Sequence, residues 1–190
     1  MRQKCLMAIL LALSTTHGFA QQRVYEGCYL PVSGSVMTIS TSDETQQGVF
    51  SLSLKRENWK NLDPSDKSRI YRKLRLKGVI TGAFTSQTSN GPLARHVLTP
   101  NTRDGMIVTQ DDYLVPESVD CLDSEEKPRI ITGKEFINPL YGTEKYAGLD
   151  PEKSQLVVHG TVNYCPGDQD YLKNDFTVLT EGQLCFSSTE

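Results

Sequence analysis

The sequence predicts a mainly β protein, either an antiparallel barrel or a sandwich, and two observations support this. Apolar and polar residues alternate in short segments, so that Phe50, Leu52 and Leu54 share one face and serines take the other. Turn-forming sequences separate these segments, such as Ser89-Asn90-Gly91-Pro92 and Glu181-Gly182. No stretch of twelve or more residues has a helical stripe, which favours many short strands at close spacing.

The predicted strands follow one another along most of the chain. In order they span residues 36–39, 49–54, 74–84, 93–99, 106–109, 129–132, 156–165, 176–179 and 184–186. Short helical turns are predicted near 63–71 and 150–155. In each of these an aspartate stands at the N-cap position and a proline at the first helical position, as in Asp63-Pro64 and Asp150-Pro151.

The same two segments suggest an internal repeat. Leu62-Asp63-Pro64 and Leu149-Asp150-Pro151 each precede a glycine-containing strand and, further on, a Val-Leu-Thr sequence. This pattern fits two related β-modules, over residues 21–115 and 116–190, which could also pack as one domain. Chance similarity among β-hairpins is the alternative, and the sequence leaves both open.

Residues 1–20 have the features of a cleavable signal peptide. Arg2 and Lys4 give a positive start, an apolar run over 6–13 follows, and Gly18-Phe19-Ala20 places small residues at the cleavage site. The run is far shorter than the roughly 20 residues that a membrane-spanning helix needs. A buried N-terminal helix is the alternative. We therefore expect a periplasmic (bacterial) or secreted protein without a transmembrane anchor.

Four cysteines remain after the leader, namely Cys28, Cys121, Cys165 and Cys185. An even number in an exported chain predicts two disulfides, because the compartment is oxidising. Three pairings are possible. The sequence favours Cys165–Cys185, since both lie in late strand-like segments, and this leaves Cys28–Cys121.

Chemical motifs are scarce, and the sequence predicts no enzyme, no cofactor and no metal. It has no Cys-x-x-Cys pair and no Gly-x-Ser-x-Gly elbow. Pro166-Gly167-Asp168 begins a loop with oxygen ligands but lacks the spacing of a calcium site. Gly78 and Gly82 are more typical of a bend in a curved sheet than of a phosphate loop. His96 and His159 are the least unsuitable catalytic candidates, although both lie in strand-like segments.

Charge is unevenly distributed along the chain. Without the leader, 18 basic and 23 acidic side chains give a net charge of −5 (18 − 23), which argues against nucleic-acid binding. Residues 55–103 carry 11 basic and 3 acidic side chains, whereas residues 104–190 carry 6 and 17. Two sets are candidate partner-binding residues: a basic stripe (Lys73, Arg75 and Lys77) on one strand face, and an acidic segment over 111–126 (Asp111, Asp112, Glu117, Asp120, Asp123, Glu125 and Glu126).

The acidic segment is expected to be a loop that a disulfide at Cys121 holds in place. In the alternative interpretation both sets are solvated or neutralise each other. The leading hypothesis is an exported, non-enzymatic inhibitor or immunity protein that blocks a toxin or cell-envelope hydrolase through such a patch. Two other classes stay open: a structural or adhesive envelope component, and a module that binds a carbohydrate or small ligand, with Trp59, Tyr71 and Tyr113 as stacking faces.

Overall fold

The computed structural model describes residues 23–42, 44–88, 91–126 and 128–188. The predicted signal peptide, over residues 1–20, lies outside the described residues. Ten strands are present: β1 (Gly27–Ser40), β2 (Thr45–Arg56), β3 (Lys73–Thr88), β4 (Gly91–Pro100), β5 (Ile107–Thr109), β6 (Asp112–Leu122), β7 (Pro128–Ile137), β8 (Pro139–Gly142), β9 (Gln155–Asn163) and β10 (Lys173–Phe186). The predicted mainly β, antiparallel architecture is confirmed.

Short helical segments connect some of the strands. The predicted turn near 63–71 is present as helix α1 (Pro64–Arg69), with Pro64 in its first turn. The segment near 150–155 forms a hydrogen-bonded turn instead, in which the Asp150 carboxylate accepts from the Glu152 amide at 3.2 Å. Two 3-10 turns lie at Trp59–Asn61 and Glu144–Tyr146.

The strands form one antiparallel sheet that closes on itself. The order is β3-β2-β1-β10-β9-β7-β6-β4, and β3 pairs again with β4 over ten residues of each strand. Strand β5 pairs with the C-terminal half of β4, and β8 pairs with the other edge of β5. Both sequence-defined modules, 21–115 and 116–190, contribute strands to this sheet and side chains to its core. We call this arrangement the closed sheet.

Alternation along each strand decides which side chains fill the closed sheet. On β3, Leu74 and Leu76 are buried inside, whereas Lys73, Arg75 and Lys77 are exposed outside, as the alternation predicts. Inward apolar side chains from β2, β9 and β10 complete the core. Of the described residues, no helix is long and apolar enough to span a membrane.

One end of the closed sheet, which we call the closed end, is filled by aromatic rings. Tyr25 contacts four other rings, including Tyr146 in a stacked arrangement at 5.7 Å between centroids and Phe186 at 5.6 Å. Tyr29 is fully buried and donates a hydrogen bond to the Tyr71 carbonyl at 2.7 Å. Burial raises the pKa of Tyr29 and of Tyr146 to about 12, so these hydroxyls stay neutral.

Two disulfides are present, as predicted, but the favoured pairing was wrong. Cys28 pairs with Cys185 and Cys121 pairs with Cys165. The reason is the closure of the sheet, which makes the first and last strands neighbours and sets Cys28 directly opposite Cys185. The first disulfide therefore lies at the closed end. The second lies at the other end, which we call the open end, where Cys121 is near the end of β6 and Cys165 lies just beyond β9.

Candidate functional site

The interior of the closed sheet is not filled at the open end. A cavity of about 200 Å³ lies there, with apolar walls formed by Leu114, Ile131, Val162 and Phe176. Tyr164 stands where the cavity meets a wider surface cleft of about 670 Å³. The cavity far exceeds the ~10–15 Å³ that one water molecule needs, so it has room for a small organic molecule.

A buried acid–histidine pair lies at the inner limit of this cavity. His96 Nδ1 lies 2.7 Å from Asp112 Oδ2, and the two side chains are 3% and 0% exposed. The Asp112 carboxylate also accepts hydrogen bonds from the Thr109 hydroxyl and, at 2.6 Å, from the Asn138 amide. Three donors compensate the desolvation of one carboxylate, which is how a buried charge is tolerated.

The chain reaches this arrangement by a sharp turn between β5 and β6. Thr109 ends β5 and Asp112 begins β6, while Asp111 between them adopts the left-handed conformation with φ 53°. Aspartate tolerates that conformation better than most residues. Because both strands lie beside β4, Thr109 and Asp112 meet His96 on the same side of the sheet.

Gln46 contacts the other ring nitrogen of His96. The side-chain amide Nε2 of Gln46 lies 2.9 Å from His96 Nε2, although β3 runs between the strands that carry the two residues. Gly82 is the residue of β3 directly between them. A Cβ there would lie 2.6 Å from the His96 ring and 2.8 Å from Gln46, so only glycine allows this contact.

Further polar side chains extend the network toward the mouth of the cavity. Asn174 Nδ2 directs its two N–H groups at three acceptors, Gln46 Oε1 at 3.1 Å, Thr38 Oγ1 at 3.1 Å and Ser40 Oγ at 3.3 Å. The Ser40 hydroxyl donates to the Tyr164 hydroxyl at 2.9 Å. Thr38, Ser40 and Asn174 are each at most 3% exposed. The network therefore crosses from β4 to β9 inside the closed sheet.

The directions of these hydrogen bonds determine the state of His96. Asn174 Oδ1 accepts from the Asn163 amide, so Asn174 Nδ2 must be the donor toward Gln46 Oε1. Gln46 then donates through Nε2, and His96 Nε2 accepts. His96 is therefore neutral in this arrangement, with its proton on Nδ1 directed at Asp112.

Glu135 is the one acidic side chain of this site without a hydrogen-bond donor among the described residues. It projects inward from β7 between Leu114 on β6 and Val158 on β9, and its side chain is 14% exposed. Its carboxylate oxygen lies 3.9 Å from His96 Nε2, beyond hydrogen-bond distance. It lines both the cavity and a smaller pocket of about 30 Å³ beneath it.

Burial and neighbouring charge perturb two acid–base groups of the site. Burial raises the pKa of Glu135, the charge of Asp112 adds to the increase, and His96 opposes it. Burial alone lowers the pKa of His96, but the hydrogen bond to Asp112 and the charges of Glu135 and Asp112 outweigh it, so that pKa is raised. The site can therefore accept a proton at either group.

The basic stripe lies far from this cavity, on the outer face of β3. Lys73, Arg75 and Lys77 are exposed, and none of them forms an ion pair with a described residue. Their neighbours across the β2–β3 pairing are Lys55, Ser53 and Ser51, so the outer face is cationic or neutral here. Their role in binding a partner stays a prediction.

The acidic segment differs from expectation in two respects. Most of it is strand β6 (Asp112–Leu122) rather than a loop, because residues 113–122 pair with β7. Asp112 is fully buried against His96 and therefore cannot meet a partner protein. The other members lie on or near the surface and were identified above as Asp111, Glu117, Asp120, Asp123, Glu125 and Glu126.

Some of these surface acids have partners within the chain. Glu117 accepts from His159 at 2.9 Å on the outer face, and Asp123 pairs with Arg129 at 2.5 Å. His159 is thus a partly exposed surface residue, remote from His96. Among the residues that the structure describes, no group of three His, Cys, Asp or Glu side chains could hold a metal ion.

No protein-family model, curated protein or solved structure matches the chain.

Proposed function

We propose that the protein binds a small organic molecule inside the open end of its closed sheet. The observation that carries this proposal is the cavity of about 200 Å³, which combines apolar walls with a convergent polar network and opens at Tyr164. Apolar cavities with a few placed polar groups are typical of small-molecule sites. A structural protein of this size would gain stability by filling the same space.

The buried network supports binding over a purely structural role. It places His96, Gln46 and Asn174 where apolar side chains would pack more favourably, and a buried polar network carries a desolvation cost. A protein that binds a ligand can offset this desolvation cost, because the network orients a group that contacts the ligand. Gly82 supports the same interpretation, because it leaves space that a larger side chain would fill and so allows Gln46 to contact His96.

The test compares two valine-to-phenylalanine variants. Val162→Phe places a ring in the cavity, whereas Val115→Phe adds the same ring on the exposed outer face of β6. Native mass spectrometry of each purified protein, followed by thermal-shift measurements with small amines, alcohols and carboxylates, detects bound or added ligand. We expect binding to the wild type and to Val115→Phe, and at least tenfold weaker binding to Val162→Phe.

The absence of any ligand from the wild type in both measurements would contradict the proposal. Equal binding by Val162→Phe would contradict it as well, because the ligand would then lie elsewhere. Unfolding temperatures of the two variants show whether either ring disturbs the fold.

Export to an oxidising compartment is part of the proposal. The two disulfides support it, because such bonds persist outside the cytoplasm, and the signal peptide that the sequence predicts over residues 1–20 supports it independently. Mass spectrometry of the protein from a producing cell tests this directly. Cleavage after Ala20 is expected, and an intact N-terminus would contradict it.

An inhibitor or immunity protein is the second candidate function. The basic stripe favours it, because three exposed cations without an ion pair to a described residue offer a surface for an acidic partner. The triple variant Lys73→Glu/Arg75→Glu/Lys77→Glu should then lose inhibition of a cell-envelope hydrolase that the wild type inhibits. If the wild type inhibits none of a panel of such hydrolases, this candidate is withdrawn, whatever the cavity binds.

A further inference from the structure

We propose that the ligand carries a protonated amine, and that Glu135 is the residue that binds it. This inference rests on the proposed function and specifies the ligand class for the same cavity. It follows from asking which polar atoms of the site remain free to bind once the internal hydrogen bonds are assigned.

Most polar atoms around the cavity are already committed. Asp112 accepts three hydrogen bonds, and both nitrogens of His96 have partners. Gln46 donates to His96 and accepts from Thr38 at 2.5 Å and from Asn174. None of these groups can turn to a ligand without breaking the network.

Two groups retain unused capacity. The Glu135 carboxylate accepts no hydrogen bond from a described residue, although it lines the cavity. The Tyr164 hydroxyl accepts from Ser40, while its own proton has no acceptor in the described part of the chain. The site therefore offers a carboxylate within the cavity and a hydroxyl donor at the mouth. The complementary ligand has a donor at one end and an acceptor at the other.

Charge selects an amine among the possible donors. The described lining of the cavity contains no lysine or arginine, and both ring nitrogens of His96 are engaged, by Asp112 and by Gln46, so His96 offers no donor to an anion. The Asp112 carboxylate also lines the cavity, and hydrogen bonds alone balance its charge. An anionic ligand would thus meet like charge in an apolar chamber, whereas a cation would pair with Glu135.

The pairing also couples binding to a proton. Glu135 faces His96 and Asp112, and burial holds its pKa above the usual value. The protein without ligand therefore retains a proton on Glu135 to higher pH than an exposed glutamate does. An ammonium group that pairs with the carboxylate displaces this proton into solution.

Isothermal titration with charge-matched probes tests the inference. The probes are 2-phenylethylamine and n-hexylamine, the alcohols 2-phenylethanol and 1-hexanol, and the carboxylates 3-phenylpropionate and hexanoate. We expect each amine to bind at least about tenfold more tightly than its matched alcohol and carboxylate. Titration in buffers of different ionisation enthalpy should show proton release for the amines.

Two variants assign the effect to the residue. Glu135→Gln should weaken amine binding by about tenfold or more, abolish proton release and leave alcohol binding within about twofold. Glu117→Gln removes an exposed carboxylate on the outer face of β6. It should leave both the amine affinity and the proton release unchanged. Unfolding curves confirm that both variants are folded.

The outcomes separate this inference from the proposed function. Equal binding of amines and carboxylates, with loss of both in Val162→Phe, would retain the binding site and overturn the role of Glu135. Unchanged amine affinity in Glu135→Gln would overturn it equally. If none of the six probes binds, this inference fails, and the proposed function fails with it when native mass spectrometry of the wild type also detects no ligand.

Discussion

The two ends of the closed sheet are built from the same strands but differ in the side chains that point inward. At the closed end, Tyr25 packs against four other aromatic rings and Tyr29 is fully buried. At the open end, the inward positions carry His96, Glu135 and Asn174 around a cavity. The closed end thus concentrates apolar packing, and the open end concentrates polar groups.

Stability and ligand binding therefore depend on different ends of the closed sheet. Apolar burial stabilises a core by about 25 cal/mol per Å² removed from water, whereas buried polar groups contribute little net and are costly when unpaired. Glu135, without a described donor, has a position that packing alone does not explain. We therefore expect substitutions at the closed end to affect unfolding alone, and those at the open end to affect ligand binding as well.

Removal of the disulfides should have the largest effects on the free energy of unfolding. Cys28→Ser/Cys185→Ser should lower the free energy of unfolding by about 5 kcal/mol and Cys121→Ser/Cys165→Ser by about 4 kcal/mol, because the bridges span 157 and 44 residues. Urea unfolding measures both. Only the second variant should weaken ligand binding, since it loosens the mouth. Weaker binding in the first variant alone would reverse our assignment of the two ends.

Aromatic truncation gives the next contrast. Tyr29→Ala should lower the free energy of unfolding by about 4 kcal/mol, because it empties a fully buried site and removes a hydrogen bond. Phe84→Ala, at the rim of the cavity, should lower it by only about 1–2 kcal/mol. Denaturant unfolding of both proteins under one condition provides the comparison. Equal losses would mean that the open end is packed as tightly as the closed end.

Two neighbouring aspartates test the buried pair. Asp112→Asn should lower the free energy of unfolding by about 2–3 kcal/mol, because it weakens three hydrogen bonds to a buried carboxylate. Asp111→Asn should change it by less than about 0.5 kcal/mol, because Asp111 is exposed and asparagine tolerates its left-handed backbone. Thermal unfolding of both variants distinguishes them, and similar values would show that burial of Asp112 matters little.

Substitution of Glu135 should change the free energy of unfolding only slightly, and it should raise this free energy rather than lower it. The pKa of Glu135 is raised from the usual 4.5, so the folded state holds this proton more tightly than the unfolded state does. Stability from this group is therefore lost as pH rises from 4.5 through the raised pKa. His96, also raised in pKa, adds a further loss above 6.5.

Glu135→Gln should accordingly be more stable than the wild type by about 1 kcal/mol at pH 8 and equal to it near pH 4. Urea unfolding across this pH range gives both slopes. A variant less stable than the wild type at pH 8 would show that the carboxylate has a partner and would count against its role in binding.

The strands of the closed sheet were largely predictable because alternation is a local property. The pattern around Leu74 and Leu76 placed the basic stripe outside correctly. The disulfide pairing was not predictable, because it depends on β1 lying beside β10, which no local pattern encodes. The charge of residues 111–126 suggested a solvated loop, whereas pairing with β7 makes most of it a strand.

The sequence indicates His96 and Asp112 separately, as a catalytic candidate and a partner-binding candidate, but sequence reasoning missed Glu135 and the grouping of these residues in one site. His96 stands between Ala94 and Leu98 at the inward positions of β4, and Glu135 stands between Gly133 and Ile137 on β7. A polar residue in an inward apolar series indicates a buried polar group. What the sequence lacked was the relation between the two strands, since β4 and β7 lie on either side of β6 and no local pattern encodes that order.

The most direct measurement is an NMR titration of the wild-type protein with 2-phenylethylamine. We expect saturable shifts at Leu114, Ile131 and Val162 on the cavity wall, and none at the basic stripe. Shifts confined to Lys73, Arg75 and Lys77 or to the closed end, with the cavity signals unchanged, would contradict this expectation.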